Sequence, residues 1–307
     1  MNMVDRLPLE GLRGELRLDE PLARYVSWRA GGRARRLYRP ADLDDLSAFL
    51  SRLPADEPLL FIGLGSNLLV RDAGYPGSVV LMHAAGRHPE LLDGLLYAEA
   101  GVASPKVARF AARNDLAGAE FLAGVPGTVG GALAMNAGCY GAETWDIVAR
   151  VLTIDRRGRQ RKREAGEFAT GYRHCALKDG ARLGQDEWFA AAWFRLAPGD
   201  GTAARARIKG LLAMRVATQP LDLPNAGSVF RNPPNGHAAR LIETCGLKGL
   251  ARGGARVSEK HANFIVNPKG AACAADIEWL IETVRSTVRD RTGVDLVPEV
   301  RIVGGAA

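Results

Sequence analysis

At 307 residues, 47% apolar and 24% charged, the chain has room for two domains and the composition of a soluble globular protein. A net charge of +7, from 41 basic and 34 acidic side chains, is modest over this length and suits an anionic ligand. Secretion, membrane spanning, a disulfide framework and a metal centre are all disfavoured: MNMVDRLPLEGLRGELRLDEP holds no signal-type apolar stretch, no apolar run spans a bilayer, and Cys139, Cys175, Cys245, Cys273 and the five histidines are scattered.

In chain order, the first third alternates short strands and helices. Residues 42–53 are predicted helical, with Leu43, Leu46, Phe49 and Leu50 on one face and Pro54 beyond the end. Leu59–Ile62, Leu68–Val70 and residues 79–82 read as short strands, and Ser104–Arg113 as a helix turning Val107, Phe110 and Ala111 inward. Over residues 148–168 the pattern becomes strand, turn, strand, with Gly158 at the turn. The basic run Arg156, Arg157, Arg159, Arg161, Lys162 and Arg163 lies on this hairpin. It holds no aromatic residue for stacking bases, so a solvated face is expected rather than a nucleic-acid site.

The stretch PGDGTA, residues 198–203, reads as a linker and divides the chain into expected domains 1–200 and 201–307. Beyond it a helix over 203–218, a strand over 228–230, a helix over 238–245 and a strand over 264–266 are predicted. A long helix, Ala274–Thr292, follows with Ile277, Leu280, Ile281, Val284 and Val288 in one stripe and Gly293 at its end. A final strand runs through Val300 and Ile302.

Two glycine-rich segments carry most of the chemical information. One is Gly63-Leu64-Gly65-Ser66-Asn67, after which Leu68 opens a strand. The other, GVPGTVGGALAMNAGCYG over 124–141, has six glycines in eighteen positions. Glycine admits positive φ and lets the backbone approach a ligand, and successive N–H groups in such turns form an anion-binding nest. With a helix starting after Thr128, the pair describes a pyrophosphate site. The first loop alone reads as readily as a tight turn. Neither loop continues into Gly-Lys-Ser/Thr, and Leu68 stands where a Rossmann fingerprint has its third glycine, so a non-Rossmann dinucleotide fold is indicated.

The motifs GLGSNLLV, EFLAGVPGTVGGALAMNAGCYGAE, GYR, AGSVFRNP, KGLARGGARVSEKHANFIVN and PEVR occur in this order. Together they resemble the UDP-N-acetylenolpyruvoylglucosamine reductase family, within the vanillyl-alcohol-oxidase-like FAD-binding fold, over residues 24–303. The segment SEKHANFIVN and the short length are similar to the branch without an inserted tyrosine-bearing loop. The resemblance implies an α+β chain: a two-part FAD-binding domain of the vanillyl-alcohol-oxidase/PCMH type, then a C-terminal α+β substrate-binding domain. It implies FAD, NADPH as co-substrate, and a UDP-linked enolpyruvyl amino sugar that receives hydride by way of the flavin. A noncovalent flavin is expected, because the loop from Gly63 to Asn67 has neither histidine nor cysteine.

By the same resemblance, Gly63, Gly65, Ser66, Asn67, Leu68, Gly124, Pro126, Gly127, Thr128, Gly131, Asn136 and Gly138 hold the cofactor. Ser228 is the implied proton donor to C2 of the enolpyruvyl group, while Arg173 and Glu299 polarise its carboxylate and help stabilise the enolate. Arg215, Gln219, Arg231, Asn232, Lys260 and His261 are implied substrate contacts. Read alone, Ser228 is a turn serine, Arg173 a hairpin-surface arginine and Glu299 an exposed strand-start residue. Two positions depart from the pattern. Cys175 stands where many relatives carry serine and supplies only a weak donor. Trp28, in SWRAGG, occupies a variable position and is expected to pack near the flavin. A cytoplasmic monomer acting on small molecules is expected, without nucleic acid or membrane insertion. Two rival readings are a sugar or alcohol oxidase of the same fold, which should lack the Ser228 and Glu299 motifs, and a colourless RNA-binding protein with steep salt dependence.

Overall fold

The computed structural model describes residues 10–83 and 87–305, in two compact units. The first comprises Arg36–Gly63 and Gly77–Leu211 with the N-terminal residues up to Leu18, and the second comprises Asp19–Arg35, Leu64–Pro76 and the chain from Leu212 onward. The second unit takes in early residues because the strand Leu68–Val70 pairs in parallel with Arg301–Val303, leaf to leaf from Leu68 opposite Arg301 to Val70 opposite Val303.

In the first unit the helices are α1 (Leu43–Ser51), α2 (Ser104–Arg113) and α3 (Val129–Ala134). Helix α1 begins where Asp42 accepts a hydrogen bond from the Asp45 N–H at 2.9 Å, and it buries Leu46, Phe49 and Leu50. Helix α2 has the predicted limits and buries Val107, Ala108 and Ala111, while Phe110 stays half-exposed. The main sheet is antiparallel, in the order Gln160–Glu164, Val148–Asp155, Glu187–Phe194, Leu95–Glu99, Glu90–Leu92. Its central strand, EWFAAAWF, is buried along its whole length. Ala190, Ala191 and Ala192 leave room for α3 to pack on this strand.

The basic hairpin is not solvated throughout. Arg163 points inward and is 2% exposed. It binds Glu187 at 2.7 and 3.0 Å, Asp179 at 2.9 Å and Glu167 at 3.0 Å. Hydrogen bonding to Glu187, more than the other carboxylates, raises its pKa and keeps it charged despite burial.

Helix α4 spans Gly201–Thr218, so the expected linker already contributes its first turn. In the second unit, α6 (Ala274–Thr292) packs on a small sheet of Ala251–Arg252, Ala255–Val257 and Ile265–Val266, and α5 (Ala238–Thr244) packs against α6. The α6 stripe Ile277, Leu280, Ile281, Val284 and Val288 lies in a core shared with Trp28, Leu69, Val229, Phe230 and Val300. No strand forms over residues 228–230. Phe230 makes only an isolated bridge to Pro298, and proline has no N–H with which to extend a ladder.

Candidate active site

In the first unit, the second glycine segment is laid against the connector that leads into α2. Val129 N–H donates to the Val102 carbonyl (2.8 Å), Gly130 N–H to Ala100 (2.9 Å), and Ser104 N–H to Gly127 (3.0 Å). Gly127 has φ +109, which a side chain would strain. A Cβ on Gly63 would collide with the buried Thr128 side chain, so the start of the first loop packs closely on the second segment. A Cβ on Gly124 would come within 2.8 Å of the Cys139 sulfur and the Tyr140 ring, and one on Gly138 would strike the Ala142 carbonyl. Those two glycines serve packing. Gly131 differs, because a Cβ there meets no protein atom within 4 Å, and it lies with Pro126 on the exposed side. The backbone at Gly131 is therefore open to close approach by a ligand, as a phosphate-binding loop requires. Helix α3 is only six residues long, so backbone shape rather than a long helix dipole defines that loop.

Arg173 is the last residue of the two-residue turn between Phe168–Gly171 and His174–Leu177. It takes φ +54, its guanidinium lies 5.1 Å from the Tyr172 ring centre, and its Nη2 donates to the Gly138 carbonyl at 3.2 Å. Asn136 is buried and committed to protein partners: Glu143 at 2.6 Å, the Gly171 carbonyl at 3.1 Å and the Trp145 N–H at 3.1 Å. Its side chain therefore serves the loop, not a ligand. Cys175, two positions after Arg173, has its thiol pushed up to about 12 by burial and stays protonated.

The second unit joins Ser228, Glu299 and the rest of the first glycine loop through main-chain bonds. Gly65 takes φ +60, a Cβ there would collide with the Tyr25 carbonyl, and its own carbonyl accepts from Ser27 N–H at 3.1 Å. Ser66 is half-buried beside it. Asn67 Nδ2 donates to the Glu299 carbonyl at 3.1 Å, and Arg301 N–H donates to the Asn67 carbonyl at 3.1 Å. Leu68 is buried in its strand. Glu299 N–H in turn donates to the Val229 carbonyl at 2.7 Å, next to Ser228. Gly227, at φ +74, gives its N–H to Asn225 Oδ1, and Asn263 accepts from Val229 and Phe230 N–H while donating to the Phe230 carbonyl. Ser228 thus sits between two pinned peptides, with its side chain half-exposed. Sequence reasoning singled out neither Asn225 nor Asn263, since an asparagine that braces a peptide has no spacing signature.

The implied substrate contacts divide. Arg215 Nε donates to Gln219 Oε1 at 3.0 Å one turn along, and Lys260 Nζ donates to the Val216 carbonyl at 2.6 Å, which gathers three of them at the end of α4. Arg231 buries its Nε without a hydrogen-bond partner, a donor available to a ligand. Asn232 spends its Oδ1 on the Ala238 N–H at the start of α5. His261 accepts from Asn263 N–H and meets the Phe264 ring edge-on, and burial lowers its pKa, so it is a neutral ring rather than a phosphate-binding cation. Trp28 is a core residue. It is fully buried, its Nε1 donates to the Ile265 carbonyl at 2.7 Å, and Asn267 braces its own carbonyl. Among the described residues no group of histidine, cysteine or carboxylate side chains is placed to hold a metal.

Comparison with known proteins finds two family models. An FAD binding domain matches residues 34–163, and the C-terminal domain of UDP-N-acetylenolpyruvoylglucosamine reductase matches 219–303. The UDP-N-acetylenolpyruvoylglucosamine reductase of Nitrosospira multiformis is 58% identical over 98% of this chain and 92% of its own length. That of Thiobacillus denitrificans is 57% identical over 95% and 93%. Among solved structures, the reductase of the same name from Thermus caldophilus superposes with a TM-score of 0.78 at 32% identity, covering 94% of this chain and 98% of its own. The α+β class expected from the sequence, with an FAD-binding domain ahead of a reductase-type C-terminal domain, agrees with these matches.

Proposed function

Because this chain belongs to the UDP-N-acetylenolpyruvoylglucosamine reductase family, we propose that Arg173, Ser228 and Glu299 carry out the family's reaction here, with the two glycine loops as cofactor bed. The reaction is NADPH-dependent reduction of the enolpyruvyl ether of UDP-N-acetylglucosamine to UDP-N-acetylmuramate, a step of peptidoglycan precursor synthesis. Bound FAD supplies the two-electron relay between NADPH and the double bond. Gly63, Thr128, Gly127 and Gly131 would hold its diphosphate region in the first unit, and Gly65 and Ser66 continue the loop.

Hydride arriving at C3 of the enolpyruvyl group leaves an electron pair at C2, delocalised onto the carboxylate as an enolate. Arg173 brings positive charge to that carboxylate, and Glu299 shares in polarising it. The Ser228 hydroxyl then gives its proton to C2, completing the saturated lactyl ether. A serine hydroxyl is a weak acid, so it can serve only with a neighbour that stabilises the alkoxide left behind; the pinned peptides on both sides of Ser228 support the reading by fixing where that hydroxyl lies. The observation that carries the reading is the pair of bonds Asn67 to Glu299 and Glu299 to Val229. They support it by linking the glycine loop, the Ser228 segment and Glu299 through consecutive hydrogen bonds.

We further take the enzyme to be a cytoplasmic monomer, with residues 1–200 binding FAD and 201–307 binding substrate. The limits of the two family models support that division, and among the described residues no helix is long and apolar enough to cross a membrane. The test is spectroscopic. The purified protein is yellow, acid precipitation releases all of the colour to the supernatant, and NADPH bleaches it without oxygen. Adding the UDP-linked enolpyruvyl sugar restores the colour and yields a product heavier by two hydrogens. Recovery with oxygen but not with the sugar would favour the oxidase reading, and a colourless protein would contradict both.

A further inference from the structure

Three non-glycine residues adopt left-handed backbone conformations around the second glycine segment: Asn136 (φ +41), Tyr140 (φ +57) and Arg173 (φ +54). Such conformations persist where the surroundings over-determine them, and they gather at functional sites. Two of the three are joined. The Asn136 amide nitrogen donates to the Gly171 carbonyl at 3.1 Å, at the entrance to the Tyr172-Arg173 turn. On the exit side, the Arg173 guanidinium returns to the Gly138 carbonyl at 3.2 Å, two residues beyond Asn136. The turn is therefore held at both ends by the same short stretch of chain.

Asn136 is itself immobilised. It is 2% exposed, its second N–H donates to Glu143 Oε2 at 2.6 Å, and its Oδ1 accepts from the Trp145 N–H at 3.1 Å. Both donors and one acceptor position of the amide are in use. The Glu143 carboxylate is in turn fixed by accepting from the Asp146 N–H in a reciprocal capping box. A chain of charge-assisted and neutral hydrogen bonds thus runs from Glu143 through Asn136 to the backbone just before Arg173.

We propose that Asn136 is the positioning residue for Arg173: its amide fixes the Tyr172-Arg173 turn so that the guanidinium meets the substrate carboxylate, and it makes no contact with the cofactor. This inference rests on the reading of Arg173 as the group that polarises the substrate. It gives the asparagine of the glycine segment a role in the substrate half of the reaction alone. Loss of the clamp leaves Arg173 charged and present but misplaced, and a misplacement of about 1 Å costs on the order of 100-fold in rate.

The test uses the flavin-loaded protein and the variant Asn136→Gly, which keeps a left-handed backbone accessible and removes the side chain with its amide. FAD content and the rate of bleaching by NADPH should stay at wild-type values. Recovery of colour with the enolpyruvyl sugar should slow by about 10- to 100-fold. The sugar's dissociation constant, read from its perturbation of the oxidised flavin spectrum, should rise. In the double variant with Arg173→Ala, recovery should be no slower than with Arg173→Ala alone, because both changes remove one function. Asn136→Asp supplies a pH readout: its carboxylate faces Glu143 and the Gly171 carbonyl, so recovery should improve as pH falls and protonation restores a donor. Loss of FAD from Asn136→Gly, wild-type recovery, or additive slowing in the double variant would each overturn the clamp. An Arg173→Ala variant that recovers at the normal rate would instead remove the reading of Arg173 on which the clamp depends.

Discussion

At Gly127 the backbone carries φ +109, outside the range of any branched side chain, and the loop there is bound to Ser104 at its carbonyl. Gly127→Val is therefore expected to purify without flavin. It should also melt at lower temperature than wild type, by the lost ligand stabilisation plus about 1–3 kcal/mol of backbone strain. Flavin content by absorbance and melting of the two apo-proteins separate these contributions; full occupancy would mean that Gly127 serves packing alone. At this scale the sequence was informative about residue type and much less so about use. Gly131 is open to a ligand and Gly127 is fixed by its positive φ, whereas Gly63, Gly124 and Gly138 are glycine because neighbouring atoms fill the space of a Cβ. Asn136 and Trp28 sit in ligand-like motifs yet spend their polar atoms inside the protein. Hydrogen-bond partners far along the chain decide such cases, and spacing does not record them.

Among the elements, α6 owes its start to a residue outside its own segment. The Asp72 carboxylate accepts from both Ala274 and Ala275 N–H at 2.9 Å, two of the donors that a helix N-terminus leaves unsatisfied. Asp72→Ala is predicted to destabilise the protein by about 1–2 kcal/mol, seen as a lower urea midpoint, with Asp72→Asn in between. An unchanged midpoint would mean that water or the Cys273–Asp276 capping box replaces the contact at no cost. Helices α2 and α6 were legible to the residue because each carries one apolar stripe, and α6 also carries a clear stop in Gly293, found at φ +74. The strand Glu187–Phe194 was not legible. EWFAAAWF has no alternation, and a run buried on both faces carries no period that separates strand from helix. Residues 228–230 erred the other way: a local apolar pattern suggested a strand, and Pro298 opposite Phe230 prevents one.

Across the whole molecule, a reading along the chain naturally places a single boundary at a glycine-rich stretch, whereas the compact units exchange segments. The parallel pairing of Leu68–Val70 with Arg301–Val303 draws the first glycine loop toward Glu299, although more than two hundred residues separate them in sequence. Non-local pairing of this kind has no local signature, which is why the ordered motifs were visible while the arrangement joining them was not. The central claim is that this arrangement delivers a proton from Ser228 in one half of the reaction only. Reduction by NADPH requires no proton on the sugar, so Ser228→Ala should bleach at the wild-type rate. Glu299→Gln should behave likewise in that half. Recovery of colour with the enolpyruvyl sugar does require the proton, and a positioned general acid contributes about 10²–10⁴-fold, or about 2.7–5.4 kcal/mol. Stopped-flow absorbance of Ser228→Ala, mixed first with NADPH and then with the sugar, measures both halves directly. The account predicts normal bleaching followed by recovery slowed within that range; recovery at the wild-type rate would contradict it and place the proton donor elsewhere.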